Sequence, residues 1–405
     1  MQRIVKQDRS KHGARFHLPP PRAVLGLEAE FNLIIDDVRQ RPEKVFGTAA
    51  RLIRRKMLPR TGRSYQLPSG GAIYFDTGVI EVATPIVELQ PGCCYRATRL
   101  LWEQIHYVGK ELRSWARRNK RRARLQGFST HYNFSLQNKS ASPQANANRL
   151  AYLLAHILPA PVMLLAANRQ STAIGVRPRG KRIEVTADFT PDAALMLATC
   201  AFIAGAAQIA SRWSNYNLEQ LDGQAIPRFA RFQLHKHSSR KGWRMTKRSL
   251  ARNPFTSDVN AAIWRLRDGR ELSLRAIAQA TLLSFRREIR RLSDSETLRH
   301  IEAVFEGDAR SLLDFPQRPA AYDDAGRAAN WDRRRMRHWP RSVYEKVIHR
   351  VIARQPIQVR GKRYVAERMQ GWYEVVFRDV KSGNRRIFNL DHLAKLMMAQ
   401  RRRAQ

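Results

Sequence analysis

The segment Gly26-Leu27-Glu28-Ala29-Glu30-Phe31 places two carboxylates two residues apart in a run, VLGLEAEFNLII, that alternates and then turns wholly apolar. That pattern describes a β-strand with one face in a core, and it sets the start of the folded domain near Ala23. Residues i and i+2 of a strand share a face, so both acids project into one site and can grip a cation together. A Glu-x-Glu pair by itself is more often two solvated glutamates on an exposed strand face. Its meaning comes from three further segments.

In Tyr74-Phe75-Asp76-Thr77-Gly78-Val79-Ile80-Glu81-Val82-Ala83-Thr84-Pro85, two isolated acids stand among strand-forming apolar residues. A bound Mg2+ would give them a partner, because hard cations take oxygen ligands and bridge carboxylates to nucleotide phosphates. A surface hairpin with Asp76 at its turn is the competing reading. Thr130-His131-Tyr132-Asn133-Phe134-Ser135-Leu136 alternates so that His131, Asn133 and Ser135 line one side as a polar wall while Tyr132, Phe134 and Leu136 face away, although a lone His is more often structural than a ligand. Val176-Arg177-Pro178-Arg179-Gly180-Lys181-Arg182-Ile183-Glu184 sets four cations against one carboxylate. Such cations cradle phosphates and neutralise charge moved in phosphoryl transfer, and Glu184 can add a metal ligand. In so basic a chain the same arginines also read as a nucleic-acid patch.

The basic character is extreme: 74 Lys and Arg face 34 Asp and Glu, a formal charge of +40, which calls for a polyanion nearby. Nucleic acid, an acidic protein, a phosphorylated substrate and an anionic membrane surface all fit that field. With 43% hydrophobic residues over 405 positions the chain is no disordered polycation and can bury a large core with a smaller appendage. Cys93, Cys94 and Cys200 have neither zinc-site nor disulfide-framework spacing, which suits a reducing compartment. The first residues lack the apolar core of a signal peptide and no run reaches membrane-spanning length, so a cytoplasmic location without membrane contact is expected. The most apolar stretch, Ala193 to Ala210, is interrupted by Thr199 and Gln208 and reads as a buried helix.

Three parts are expected along the chain: a basic arm over 1–22, a catalytic domain over 23–338, and a small β-rich C-terminal domain over 339–405. The last rests on the alternating runs IQVRGKRYVAE, WYEVVFRDV and RRIFNL with turns at Gly361 and SGN. Within the large part, helical spacing marks 43–55, 94–120, 150–166, 191–221 and 272–292, where Arg286, Arg287, Arg290 and Arg291 form a basic face.

Taken in order, the Glu-x-Glu strand, the Asp-to-Glu strand pair, the His-x-Asn strand and the arginine segment ending in Arg-Ile-Glu resemble the glutamine synthetase-like superfamily over roughly residues 25–192. GGAIYFDTGVIEVATP followed by THYNF is most similar to the Pup ligase and depupylase branch, with glutamate–cysteine ligases next. The resemblance implies an α+β fold: a curved, mainly antiparallel sheet packed with helices, plus the small C-terminal domain. It implies Glu28, Glu30, Glu81 and Glu184 as metal ligands, His131 at the nucleotide and metal site, and Asp76 as the base. Two positions depart from the pattern. Tyr132 replaces the glutamate of the branch's Thr-His-Glu-Asn-Tyr motif, and Thr186 stands where glutamine synthetases usually keep an arginine after Arg-Ile-Glu.

The expected chemistry is phosphorylation of a carboxylate by ATP with Mg2+, followed by attack of an amine on the acyl phosphate. Asp76 would take the amine's proton, while Arg177, Arg179 and Arg182 would stabilise the moving phosphoryl group. His131, Asn133, Ser135, Arg177 and Arg179 would contact the nucleotide. Water in place of the amine would give amide or isopeptide hydrolysis on the same site. The charge favours a macromolecular acidic substrate, such as a protein modifier, over a free amino acid. Nucleic acid is the other partner it admits, with Trp243, Trp372 and Tyr373 as stacking positions. In the rival class the fold survives without catalysis, and RRNKRRAR, HKHSSRKGWR and RRRMRHW contact nucleic acid.

Overall fold

The computed structural model describes residues 22–135, 143–180, 182–237, 242–326 and 339–404. The expected basic arm, apart from Arg22, lies outside the described residues, as does Lys181.

Twelve strands among the described residues build one antiparallel sheet: β1 (Val24–Ile35), β2 (Val38–Gln40), β3 (Leu58–Pro59), β4 (Tyr65–Gln66), β5 (Ala72–Asp76), β6 (Val79–Ala83), β7 (Val87–Glu88), β8 (Ala123–Ser135), β9 (Ala173–Arg179), β10 (Arg182–Asp188), β11 (His235–Lys236) and β12 (Trp243–Thr246). Their order is β11-β12-β9-β10-β8-β1-β6-β5-β4-β3, with β2 and β7 also on β1. The long strands β1 and β8 form the centre because their alternation gives each a continuous apolar face: Leu25, Leu27, Ala29 and Phe31 on β1 and Tyr132 and Phe134 on β8 are buried. Helices Cys93–Arg118, Pro159–Ala166 and Ala193–Ala210 cover that face. The last is apolar all round because it lies inside the molecule, with its Thr199 hydroxyl donating to the Leu195 carbonyl at 2.7 Å. The β5–β6 hairpin turns at Thr77-Gly78, both with positive φ, 44° and 97°, the twist that two-residue hairpin turns require. Cys93, Cys94 and Cys200 are buried free thiols.

Four expected helices divide. Residues 150–166 fall in Pro143–Ile157 and Pro159–Ala166, and 191–221 in Ala193–Ala210 and the short Glu219–Gly223. The 43–55 segment forms Pro42–Phe46 and Ala49–Leu52, separated at Gly47, whose φ of 71° ends the first helix. The 272–292 segment forms Leu274–Leu283 and Arg286–Leu292, because Phe285 leaves helical geometry and turns its ring into the core.

The C-terminal part is a four-stranded antiparallel sheet of β15 (Ile357–Val359), β16 (Lys362–Gln370), β17 (Glu374–Asp379) and β18 (Arg385–Asn389), following the small pair β13 (Trp264–Arg265) and β14 (Glu271–Leu272). Two helices complete it, Val343–Ile352 and Leu390–Ala404. The first begins at a capping box in which the Ser342 and Glu345 side chains each bond the other's backbone. Its Val347, Ile348 and Val351 join Val375, Phe377 and Phe388 in a second core, to which β3 contributes Leu58.

This part is fastened onto the main sheet. The Thr61 amide donates to the Met369 carbonyl at 3.3 Å, and the Tyr344 amide donates to Glu88 at 3.1 Å. Arg96 of the long helix forms an ion pair with Glu345, both side chains almost wholly removed from water. Breaking such a pair leaves a buried charge uncompensated. Glu345→Ala is expected to cost about 3–5 kcal/mol in urea unfolding, whereas the Arg96→Met/Glu345→Leu double variant should cost markedly less.

Candidate functional site

Cross-strand register brings the polar residues of six strands to one face, opposite the helices. One row runs Tyr74–Glu81–Glu30–Ser129–Asp188, the next Ala83–Glu28–His131–Thr186–Gly175, and a third Gly26–Asn133–Glu184–Arg177. Directly opposed residues point the same way, so acids separated by up to about 160 positions in sequence meet over the middle of the sheet.

His131 lies at the centre. Its Nδ1 is 3.5 Å from Glu28 Oε2 and 3.9 Å from Glu184 Oε1, and its Nε2 is 3.8 Å from Glu30 Oε2. Ser129 donates to Glu30, and Tyr74 donates to Glu81. Glu28, Glu81 and His131 each offer a ligand atom within 4.8 Å of the others. Glu30 stands at the edge of that group. Glu184, buried to 1% exposure, receives Arg177, Arg179 at 3.2 Å and Arg182 at 3.9 Å. It therefore holds three guanidinium groups together beside the trio.

Burial governs the protonation of the cluster. It pushes Glu81 up to about 8, with Glu28 adding to the shift. Burial opposes the charge on His131, but Glu28, Glu30 and Glu184 outweigh it and hold the imidazolium up to about 9. Burial also raises Glu28, yet His131 and Arg182 bring its carboxyl below the ordinary value. Protons on Glu81 and His131 thus balance the crowded carboxylates. A divalent cation would do so in their place, and a donor set of carboxylate oxygens with one imidazole nitrogen suits Mg2+ or Mn2+.

Two cavities meet at this cluster. One, of about 570 Å³, lies above the sheet and is lined by the acids, by Arg177, Arg179, Arg182 and Arg244, and by His237. Burial and the neighbouring Arg177 and Arg244 bring His237 down to about 4, so its imidazole is neutral. Asp76 is exposed at the end of β5, on the rim of this basin and two residues from Tyr74. The other cavity, of about 280 Å³, is mainly apolar and runs between one end of the β1–β8 pair and the C-terminal part. Val24, Leu27, Ile86 and Tyr344 form its walls with Trp372 and Tyr373. Asn133 lines it with an amide oxygen that is buried without a donor, and Ser135 lines it while accepting from the Val24 amide at 2.9 Å. Glu28, Arg182 and Trp372 border both cavities.

Several of these residues escape a reading of the sequence. Ser129 is two before His131 and so belongs to the same face, a signal that was present. Arg60 carries no signal. It stacks on Trp372 at 3.6 Å and donates to the Gly371 carbonyl at 3.2 Å, and burial brings its pKa down to about 10 against the pull of Tyr74 and Glu28. Trp372 and Tyr373 line the apolar cavity. Trp243, the third aromatic, stacks edge-on against Tyr152 at 5.2 Å, away from it.

No family model matches the chain, and no curated protein matches it. Among solved structures, the crystal structure of the complex between the prokaryotic ubiquitin-like protein Pup and its ligase PafA is similar to it over 93% of both chains, with a TM-score of 0.49 and 11% identity. A likeness at that level carries no inference about activity or partner.

Ligation of a metal requires Glu81 ionised and His131 neutral, while the metal-free groups keep their protons to about 8 and about 9. Cation binding at neutral pH must therefore expel protons, and affinity should rise between pH 7 and 9. Calorimetry of Mn2+ binding in two buffers of different ionisation enthalpy measures the release. Binding without proton release, or weaker binding at higher pH, would contradict the assignment.

Proposed function

We propose that the chain is an ATP- and Mg2+-dependent carboxylate–amine ligase of the glutamine synthetase-like kind, acting on an acidic macromolecular substrate such as a protein modifier. One observation carries the reading: an apolar, aromatic-walled cavity shares Glu28, Arg182 and Trp372 with a basin of clustered carboxylates and arginines. A molecule with a flat apolar head and a polyanionic tail fits that pair of cavities, the head against Trp372 and Tyr373 and the tail over the cluster. ATP is such a molecule.

Glu28, Glu81 and His131 would hold Mg2+, with Glu30 and Glu184 beside them. When bound, the ion neutralises phosphate charge and screens the repulsion between phosphates and an incoming carboxylate. Arg177, Arg179 and Arg182, already oriented by Glu184, stabilise the charge on the transferring phosphoryl group without reorganising. A substrate carboxylate oxygen bonds to the γ-phosphorus as the bond to the β–γ bridging oxygen breaks, leaving ADP and an acyl phosphate. The amine then attacks the acyl carbon and inorganic phosphate departs. Asp76, at the rim, takes the proton the amine loses. The exposure of Asp76 equally suits activation of a water, the hydrolytic direction on the same site. ADP formed in proportion to new amide bonds marks ligation, whereas amide loss without ADP turnover marks hydrolysis.

Titration of ATP with and without Mg2+ tests the reading. Binding should require the ion and vanish in Glu28→Gln/Glu81→Gln. Trp372→Ala should weaken it by about 1–3 kcal/mol through loss of stacking. Absence of ATP binding by the wild-type protein would refute the ligase assignment.

A further inference from the structure

A second concave surface lies apart from the acid cluster. It is a groove of about 560 Å³ between the C-terminal half of helix Cys93–Arg118 and the beginning of β8. Leu125 in its floor is six residues from His131 along β8, roughly 20 Å away by strand rise. Six cations and a single acid, Asp324, line it. Lys110, Arg113 and Arg117 follow one another at spacings of three and four on the helix, and Arg121, Arg122 and Arg124 come from the turn and the first residues of the strand.

The two sets are held differently. Arg121 pairs with Asp36, while Arg122 and Arg124 reach Asp37 at 2.8 and 3.4 Å. Asp36 and Asp37 form the β1–β2 turn, with φ of 46° and 64°. Exposed pairs of this kind add little stability, and their effect is to keep three guanidinium groups along one edge. On the helix, Arg113 donates to the Gly326 carbonyl at 3.4 Å, and no ion pair holds Lys110 or Arg117 among the described residues. Like charges three and four apart repel, and the helix dipole compensates cations only in the last turn. A polyanion in the groove removes that repulsion.

The floor decides between polyanions. Its apolar contribution comes from Gly109, Ala116, Ala123, Ala325 and the buried Leu112 and Leu125, with no aromatic ring. Peptides are held through large apolar anchors, and unpaired bases through aromatic stacking; the groove offers neither. A phosphate backbone needs only cations. The seven steps from Lys110 to Arg117 cover roughly 10 Å of helix, over which each strand of a duplex presents about three phosphates at one per ~3.4 Å. We infer that this groove, built from the RRNKRRAR segment and the helix before it, binds the backbone of a nucleic-acid duplex without reading its bases. The inference is independent of the ligase reading, since none of these residues touches the acid cluster.

The test is anisotropy of a short labelled DNA duplex and its RNA counterpart with the full chain over a salt series. Lys110→Glu/Arg113→Glu/Arg117→Glu should weaken binding at least about tenfold and flatten the log K against log salt slope by about 3. The milder Lys110→Gln/Arg117→Gln, which keeps good helix formers, should flatten it by about 2. The control Arg286→Glu/Arg287→Glu/Arg290→Glu removes the same charge from another exposed helix and should leave the slope unchanged. Equal losses in groove and control variants would overturn the site, as would binding that poly-glutamate competes away at equal charge concentration, which would identify an acidic protein as the occupant.

Discussion

Everything around the candidate site depends on crowding buried carboxylates onto the middle of one sheet face. Glu28, Glu81 and Glu184 are drawn there by backbone pairing, which takes no account of charge. The apolar alternation of β1, β6, β8 and β10 fixes which side chains face the helices, and the acids are left facing one another across strands about 5 Å apart. Such an arrangement persists only if positive charge is supplied within the same few ångströms. The protein supplies it twice. The His131 imidazolium serves Glu28 and Glu30, and the arginines of β9 and β10 serve Glu184.

The division has a chemical meaning. Glu184 is neutralised by guanidinium groups that do not lose protons near neutral pH, so that side of the cluster is permanently balanced. The Glu28–Glu81–His131 side is balanced by protons, whose place a bound cation would take. One half of the face is therefore a fixed positive frame and the other an exchangeable site.

Much of this face was legible in the sequence because strand alternation sorts residues onto sides without any knowledge of pairing. Glu28 with Glu30, and His131 with Asn133 and Ser135, follow from the period of two. Which strands would neighbour one another does not follow from it. The meeting of Glu81 with Glu30 and of Glu184 with Asn133 is a matter of register between distant segments. The small and distant contributors were invisible for the same reason. Arg60 sits beside a two-residue strand with no periodicity, and it matters only because a tryptophan more than 300 positions later folds back over it. The C-terminal helices were obscured by Lys and Arg on their exposed sides, although the Ser342–Glu345 capping box was there to be read. Helix division at Gly47 and Phe285 reflects local backbone geometry that hydrophobic spacing alone overlooks.

Trp372 borders both cavities and is carried by the C-terminal part, which meets the main sheet through the Arg96–Glu345 pair, the Glu88 contact, the short run beside β3, Arg60 and the packing of Val24, Leu58 and Ile86 on its core. Occupancy of the apolar cavity and retention of the C-terminal part are consequently two sides of one equilibrium. A ligand clasped there tightens the docking by RT ln(1 + [L]/Kd), and loosening the docking lowers its affinity by the same factor. A ligand seated there would be held from both sides, so its retention would depend on the seam between the two parts as well as on the contacts within the cavity.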